Sequence, residues 1–255
     1  MDITQTFYDN LASQYDKLFQ DWQATTREQA NILERIFRGN GFDRSASVLD
    51  CACGIGTQAI GLAAMGYAVT GSDLSRVELR EASKRAAENG VTLRLEPADF
   101  CRLEETFSET FDIVICMDNA LPHMLSSDTL SAAIRSIAGR VAPGGIFVAS
   151  IRDYDALLQQ KPAYSPPYIH KTANGQRVSF QTWDWEGDIY TLVQYILDDG
   201  QTLKASRFPC RYRATRRAEI AECLQSSGFG DAAWLFPEET GFYQPIVVAR
   251  KKAGG

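Results

Sequence analysis

The sequence predicts an α/β fold built on a doubly wound, mainly parallel sheet, and three features carry that expectation. Short β-branched runs alternate with helical stretches across residues 47–151. A glycine turn, Cys53-Gly54-Ile55-Gly56, directly follows the first of those runs. Beyond Lys161 the apolar pattern changes to a period of two and aromatic residues crowd into it, which signals an antiparallel addition to the parallel core.

Two amphipathic helical stretches lead the chain, residues 4–19 and 25–37. They have no place in the sheet itself and are expected to form a lid. Strands follow at 47–51, 68–72, 92–96, 111–117 and 146–151, with helices over 57–65, 76–89 and 127–140 between them. Asn89-Gly90 and Pro143-Gly144-Gly145 mark helix ends. Residues 161–212 read as an antiparallel meander, with Glu186-Gly187-Asp188 and Asp199-Gly200 as hairpin turns. A helix over 215–226 closed by Gly228, then strands at 232–236 and 244–250, complete the chain. Since no repeat, low-complexity tract or linker interrupts it, 1–255 is expected to be one domain, with 1–40 as helical lid and 161–212 as an insertion over the active site.

At 255 residues and 45% hydrophobic composition, the chain can bury a sizeable core. The 26 Lys and Arg against 32 Asp and Glu give a net charge of -6. That balance lacks the cationic surplus that binding to phosphate backbones requires, so no nucleic-acid partner is expected. The longest apolar runs, 113–117 and 146–151, fall far short of the roughly 20 residues that span a bilayer, so no membrane partner is expected either. The opening MDITQTFYDN carries acids where a secretory signal has a basic and then an apolar stretch, which points to the cytoplasm. The 6 cysteines form no CxxC pair and several lie in apolar runs, where reduced thiols pack as small hydrophobes. With His123 and His170 the sole histidines, no metal site has suitable spacing.

The run V-L-D-C-A-C-G-I-G-T sets Asp50, Gly54 and Gly56 at the turn out of the first strand. Ligands of doubly wound sheets bind at that carboxyl edge, and glycine lets them approach the backbone. By itself the turn also suits a plain strand-to-helix connection. The second strand ends in Gly71-Ser72-Asp73, an acid that can hold ribose hydroxyls and would serve NAD equally well. After the third comes Pro97-Ala98-Asp99-Phe100, an acid and an aromatic suited to an adenine, and the fourth ends in Asp118-Asn119. Gly56 is followed by Thr57, Gln58 and Ala59, not by the spacing of a G-x-G-x-x-G dinucleotide turn. Together with Asp50, this favours S-adenosylmethionine (SAM).

Most strongly over residues 48–154, the sequence resembles the class I SAM-dependent methyltransferases, which have a Rossmann-like seven-stranded sheet. Within them it is most similar to the glycine N-methyltransferase group, through V-I-C-M-D-N-A-L-P-H-M and I-R-D-Y-D. The resemblance implies methyl transfer from SAM to the nitrogen of a small amine or amino acid such as glycine or sarcosine, leaving S-adenosylhomocysteine. By position, Asn119 and Arg152 would hold the amino-acid substrate, and Tyr212 in R-Y-R-A-T matches a substrate-side tyrosine. These three form the expected catalytic set, with Asn119 and Tyr212 orienting the amine lone pair. Tyr168 or His170 falls where the group has a tyrosine lining the methyl group. Arg27 matches an arginine that meets the cofactor's methionine carboxylate. The expected cofactor set also includes Tyr15, Trp22, Cys51, Ala52, Gly54, Gly56, Asp73, Leu74, Ala98, Asp99, Phe100, Met117 and His123. Two departures stand out: Ala52 replaces a loop glycine, and Asp118 stands where the group often has glycine.

Several alternatives stay open at this level. Arg152 can instead pair with Asp153 or Asp155, Asn119 can cap a turn, and His123 can be a packed residue. An O-methyltransferase would use His123 or His170 as its base, and a SAM-binding protein without turnover would keep the glycine turn but lack an acceptor pocket. The basic run Arg211, Arg213, Arg216, Arg217 fits a solvated strand end or a contact to an anionic substrate tail.

Overall fold

In the computed structural model, which describes residues 3–173 and 175–253, the chain opens with helix α1 (Ile3–Leu11) and a 3-10 turn (Ala12–Leu18). Helix α2 (Trp22–Gly39) begins three residues earlier than the sequence pattern predicts, because the Asp21 carboxylate caps it by accepting from Ala24 N. Then strand and helix alternate as expected: β1 (Ser47–Asp50), α3 (Thr57–Ala64), β2 (Ala68–Asp73), α4 (Arg76–Glu88), β3 (Arg94–Pro97), β4 (Phe111–Cys116), α5 (Ser127–Arg140) and β5 (Val141–Ser150). Ser75 caps α4, and a reciprocal box between Ser126 and Thr129 starts α5. Strand β5 begins at Val141, before the expected 146. Pro143-Gly144-Gly145 is absorbed into its irregular start, where the pairing register with β4 shifts between Phe111 and Ile113.

The chain continues through α6 (Tyr154–Gln160), a second sheet of β6 (Tyr168–Thr172), β7 (Gly175–Glu186), β8 (Ile189–Asp199) and β9 (Leu203–Arg213), then α7 (Arg217–Ser226), β10 (Ala233–Leu235), α8 (Pro237–Thr240) and β11 (Ile246–Arg250). The main sheet has seven strands in the order β10-β11-β5-β4-β1-β2-β3, and β11 alone runs against the rest. Because β1 pairs with both β2 and β4, the strand order reverses there. A crevice opens at such a switch point, at the carboxyl ends of the strands.

Alternate residues of each central strand enter different cores. Leu49, Val114 and Phe147 pack with α5 and α7 on one face; Val48, Ile113 and Val148 pack with Leu33 and Phe37 of α2 on the other. Burial on both faces is why these strands read as continuous apolar runs. The antiparallel sheet turns at Gly187 and after Asp199, as its sequence predicts, and sends Tyr190, Leu192, Ile196 and Tyr212 into the first core beside Phe7 and Leu11 of α1. Of the segment expected to be a lid, α1 and the 3-10 turn overlie the strand ends. Helix α2 is a layer of the sandwich, its Leu33, Ile36 and Phe37 packed against the sheet. No helix among the described residues is long and apolar enough to cross a membrane.

Candidate active site

Two cavities meet over the switch point. The first, of about 650 Å³, is lined by the loops that leave β1, β2, β3 and β4. In the turn after β1, Gly54 and Gly56 take φ of +52° and +90°. A Cβ on Gly54 would stand 3.2 Å from Glu78 Oε2, and one on Gly56 would stand 2.9 Å from Ile60 Cδ1, so both positions require glycine. Asp73 fixes the turn by accepting from Gly54 N at 2.9 Å and Ser75 N at 2.8 Å. Each of its oxygens keeps a second lone pair for a ligand hydroxyl. Burial pushes the Asp73 carboxyl up to about 6, against the pull of those two backbone donors.

Acidity dominates this cavity. Glu78 and Asp118 line it beside Asp73, and burial raises the pKa of both. Asp50, buried at the end of β1, is likewise raised by burial, against the Ala52 N–H that favours its ionised form. Glu78 Oε1 is buried with no hydrogen-bond partner among the described residues. Unpartnered acid around a glycine turn and a strand-end carboxylate suits a ligand that brings ribose hydroxyls and positive charge, so the residues present fit SAM.

Tyr15, Cys51, Ala52, Gly54, Asp73, Leu74, Asp99, Phe100, Met117 and His123 all line the first cavity. Four residues of the expected cofactor set do not. Gly56 shapes the turn from behind, and Ala98 is packed in the core. Trp22 is buried beneath the Arg85 guanidinium and donates Nε1–H to Thr57 Oγ1 at 3.0 Å, so it braces the start of α3. Arg27 is exposed: α2 buries Thr26, Gln29, Ala30, Leu33 and Phe37 at helical spacing, which turns position 27 to solvent. Arg27, expected to meet the cofactor carboxylate, lines neither cavity.

The second cavity, of about 990 Å³, lies between α1, the inner face of the antiparallel sheet and the loops after β4 and β5. Tyr8, Tyr15 and Asp118 line both cavities and form the wall they share. Arg152 projects into the second, with Nη1 donating to Tyr190 OH at 3.0 Å and Nη2 to Gln181 Oε1 at 2.9 Å. Its guanidinium lies 4.9 Å from the Trp183 ring centroid and 5.7 Å from that of Tyr212. Burial alone would lower its pKa; the oxygens of Tyr190, Tyr154 and Tyr212 outweigh that and keep it charged. No carboxylate among the described residues pairs with it. Asp153 and Asp155, its alternative partners from sequence, are held by Arg217 at 2.5 and 3.3 Å.

Beside Arg152, Asn119 Oδ1 accepts from Arg152 N at 3.0 Å and from Tyr154 OH at 3.1 Å, while Nδ2 is buried without a partner. With the oxygen taken up inside the fold, what the amide has left is a donor, which is complementary to an anionic oxygen and not to an amine lone pair. Asp118 and Asn119 take φ of +55° and +70°, in the left-handed region that, glycine apart, asparagine and aspartate tolerate best. The turn is fixed by Asp118 N donating to Ser150 Oγ and Asn119 N donating to Ser150 O, at 2.8 and 3.1 Å. Asp118 accepts from Gln58 Nε2 on the cofactor side and from Tyr243 OH on the other, both at 2.8 Å.

Tyr212 stacks on Tyr190 and lies tilted against His123, and burial raises its phenol, as it does those of Tyr8 and Tyr15, so all three stay neutral. His123 has Nε2 at 2.9 Å from Tyr8 OH and Nδ1 at 3.7 Å from Cys210 Sγ. Tyr168 lines the second cavity at its exposed rim, but His170, two residues on, lines neither cavity and sits with Nδ1 3.2 Å from Gln20 Oε1. Within the basic run, Arg213 pairs with Asp188 and Glu219 and Arg217 with Asp153 and Asp155, so these two serve the fold. Sequence reasoning missed Glu78, Gln58, Gln181, Tyr190 and Tyr243. Period-two alternation could have supplied Gln181 and Tyr190, which share a sheet face with Trp183, Leu192 and Tyr212.

Residues 48–145 match the methyltransferase domain family. Over 254 residues the sequence is 28% identical to a glycine/sarcosine N-methyltransferase of Parasynechococcus marenigrum (strain WH8102), covering 97% of this chain and 85% of that one. The chain is a class I SAM-dependent methyltransferase. This methyltransferase is related to the glycine N-methyltransferase group, and SAM is its cofactor. Its fold is shared by the CcbJ methyltransferase from Streptomyces caelestis, with TM-score 0.77, 21% identity and coverage of 99% and 100% of the two chains. A SAM-bound amino pentose methyltransferase from Micromonospora echinaspora also shares it, with TM-score 0.72, 18% identity and coverage of 89% and 92%.

Proposed function

We propose that this methyltransferase transfers the methyl group to the nitrogen of a small-molecule amine that carries a carboxylate, an amino acid or a close analogue. The observation that carries the reading is Arg152: a charged guanidinium without a carboxylate partner, beside the unpartnered Asn119 Nδ2, in the cavity that shares a wall with the cofactor's. A planar fork and an adjacent amide donor are complementary to a carboxylate. The naming of the curated relative as a glycine/sarcosine N-methyltransferase supports nitrogen as the acceptor atom. The oxygen-directed alternative finds less support, since His170 is outside both cavities and His123 is engaged by Tyr8 and Cys210.

In this reading Asp73 holds the ribose hydroxyls, Asp99 and Phe100 meet the adenine, and Glu78 and Asp118 balance the cofactor's positive charge. When bound, SAM supplies a methyl group on a sulfonium, an electrophile reactive enough that the protein's share is alignment and exclusion of water. Fixing both reactants in attack geometry contributes on the order of 7–11 kcal/mol. The acceptor amine attacks as its neutral base. Of the three side chains common to both cavities, Asp118 alone is a carboxylate, and burial makes it a better proton acceptor than an ordinary aspartate.

A panel of amines, phenols and carboxylates assayed by release of S-adenosylhomocysteine tests the reading. Arg152→Lys keeps the charge but loses the fork. It should raise KM for a carboxylated amine about tenfold and leave an amine without an anionic group nearly unaffected. A best acceptor with no anionic group would overturn the carboxylate assignment.

A further inference from the structure

The acceptor cavity is far larger than glycine requires. At about 990 Å³ it lies at the upper end of the roughly 300–1,000 Å³ that holds drug-sized ligands. Arg152 and the buried, unpartnered Asn119 Nδ2 stand together, while the carboxylates Glu28 and Glu238 belong to its exposed lining. Of the polar side chains that the antiparallel sheet contributes, Tyr168, Ser179, Gln181, Gln194 and Tyr212, the two glutamines are largely spent on one another. Gln181 Nε2 donates to Gln194 Oε1 at 2.9 Å, and Gln181 Oε1 accepts from both Arg152 and Trp183. Gln194 uses both amide hydrogens on the carbonyls of Phe180 and Tyr195, at 3.1 and 2.9 Å. The cavity's apolar lining includes Phe7, Leu11, Leu18, Trp183, Leu192 and Phe236; Glu28 and Glu238 also line it as exposed residues, and Gln29 and Gln244 line it with their amide oxygens taken by Gln58 and Ser150.

Resting on the reading of Arg152 above, we propose that the acceptor is a carboxylated amine with a bulky apolar or aromatic body, and that glycine and sarcosine are poor substrates. Carboxylate and amine sit at the polar end, next to the wall shared with the cofactor. The body fills the space under Trp183 and Leu192. Glycine leaves that space without an occupant, forgoing the apolar burial and the exclusion of water that the cavity offers.

The test compares kcat/KM of the full-length protein for glycine and sarcosine with that for phenylalanine, tryptophan and phenethylamine. The proposal expects phenylalanine or tryptophan to exceed glycine by at least about tenfold, from burial of the side chain. It expects Leu192→Trp, which fills the body end, to shift the preference toward glycine by a similar factor. Glycine turned over as well as or better than both aromatic amino acids overturns the proposal and leaves the carboxylate reading standing. Phenethylamine turned over as well as phenylalanine does the reverse. Should none be turned over, thermal shift of the S-adenosylhomocysteine complex with 3-phenylpropionate and acetate decides. Protection by 3-phenylpropionate at one-tenth the concentration of acetate supports the bulky body, and equal or absent protection by both overturns it.

Discussion

The cofactor cavity and the acceptor cavity share three side chains yet are built on different principles. The first is made by loops that leave successive parallel strands, from Cys51 to Met124, with backbone groups and strand-end acids as its working parts. The second is made by side chains from distant segments, α1, residues 118–119, residues 152–157 and the inner face of the antiparallel sheet. A cofactor of fixed chemistry can be held by features the fold supplies automatically, a switch point and a glycine turn. On the proposed reading, the acceptor is held by residues that can change without disturbing that frame, so one half can vary while the other stays put.

If the two halves are separable, Arg152→Ala gives the largest effect. It should lower kcat/KM for a carboxylated acceptor by about 10²–10³-fold, the usual loss on deleting one member of a desolvated charge pair, and leave SAM affinity within about twofold. Parallel loss of SAM affinity would show that the shared wall couples the sites. In the other direction, Asp73→Ala should weaken SAM binding by about 1–3 kcal/mol, measured by calorimetry, with little change in acceptor KM at saturating SAM.

Acid sharpens the contrast further. Since burial raises the Asp73 carboxyl to about 6, it is ionised above that pH and takes up a proton below it. A protonated carboxyl loses acceptor capacity, so SAM affinity should fall as pH drops through about 6, by up to about tenfold at pH 5, with proton release on binding. Asp73→Asn should flatten that profile. Arg152 stays charged throughout and adds no dependence of its own. The smallest expected effect belongs to Arg217→Ala. Its pairs with Asp153 and Asp155 are partly exposed and screened by water, so stability should fall by at most about 1 kcal/mol, read from thermal unfolding, with KM unchanged.

The same division explains what the sequence discloses. Asp50, Gly54, Gly56, Asp73 and Asp99 are legible because backbone geometry at strand ends restricts the residue type and the positions recur in order along one stretch. Period-two alternation puts Tyr190 and Gln181 on one sheet face with Trp183, Leu192 and Tyr212, but that this face meets Arg152 becomes visible only once the strands are paired and folded over the main sheet. Helix α6 has seven residues, too few to show a helical period, so Asp153 reads as a partner for Arg152 when it in fact caps that helix. Arg27 is picked out by resemblance alone, and the apolar spacing of its own helix turns it outward.

Two consecutive left-handed residues, Asp118 and Asn119, have a consequence for how this enzyme can vary. Side chains other than glycine, asparagine and aspartate pay roughly 1–2 kcal/mol per residue there, which limits position 118 to a short alphabet. The other two members, Asn and Gly, are each one nucleotide from the aspartate codon. The alphabet also spans acid, neutral polar and no side chain at the wall between cofactor and acceptor. The acidity of the transfer site is therefore open to adjustment by point mutation while the turn that carries it is conserved in shape, a genetic dial mounted on a rigid hinge.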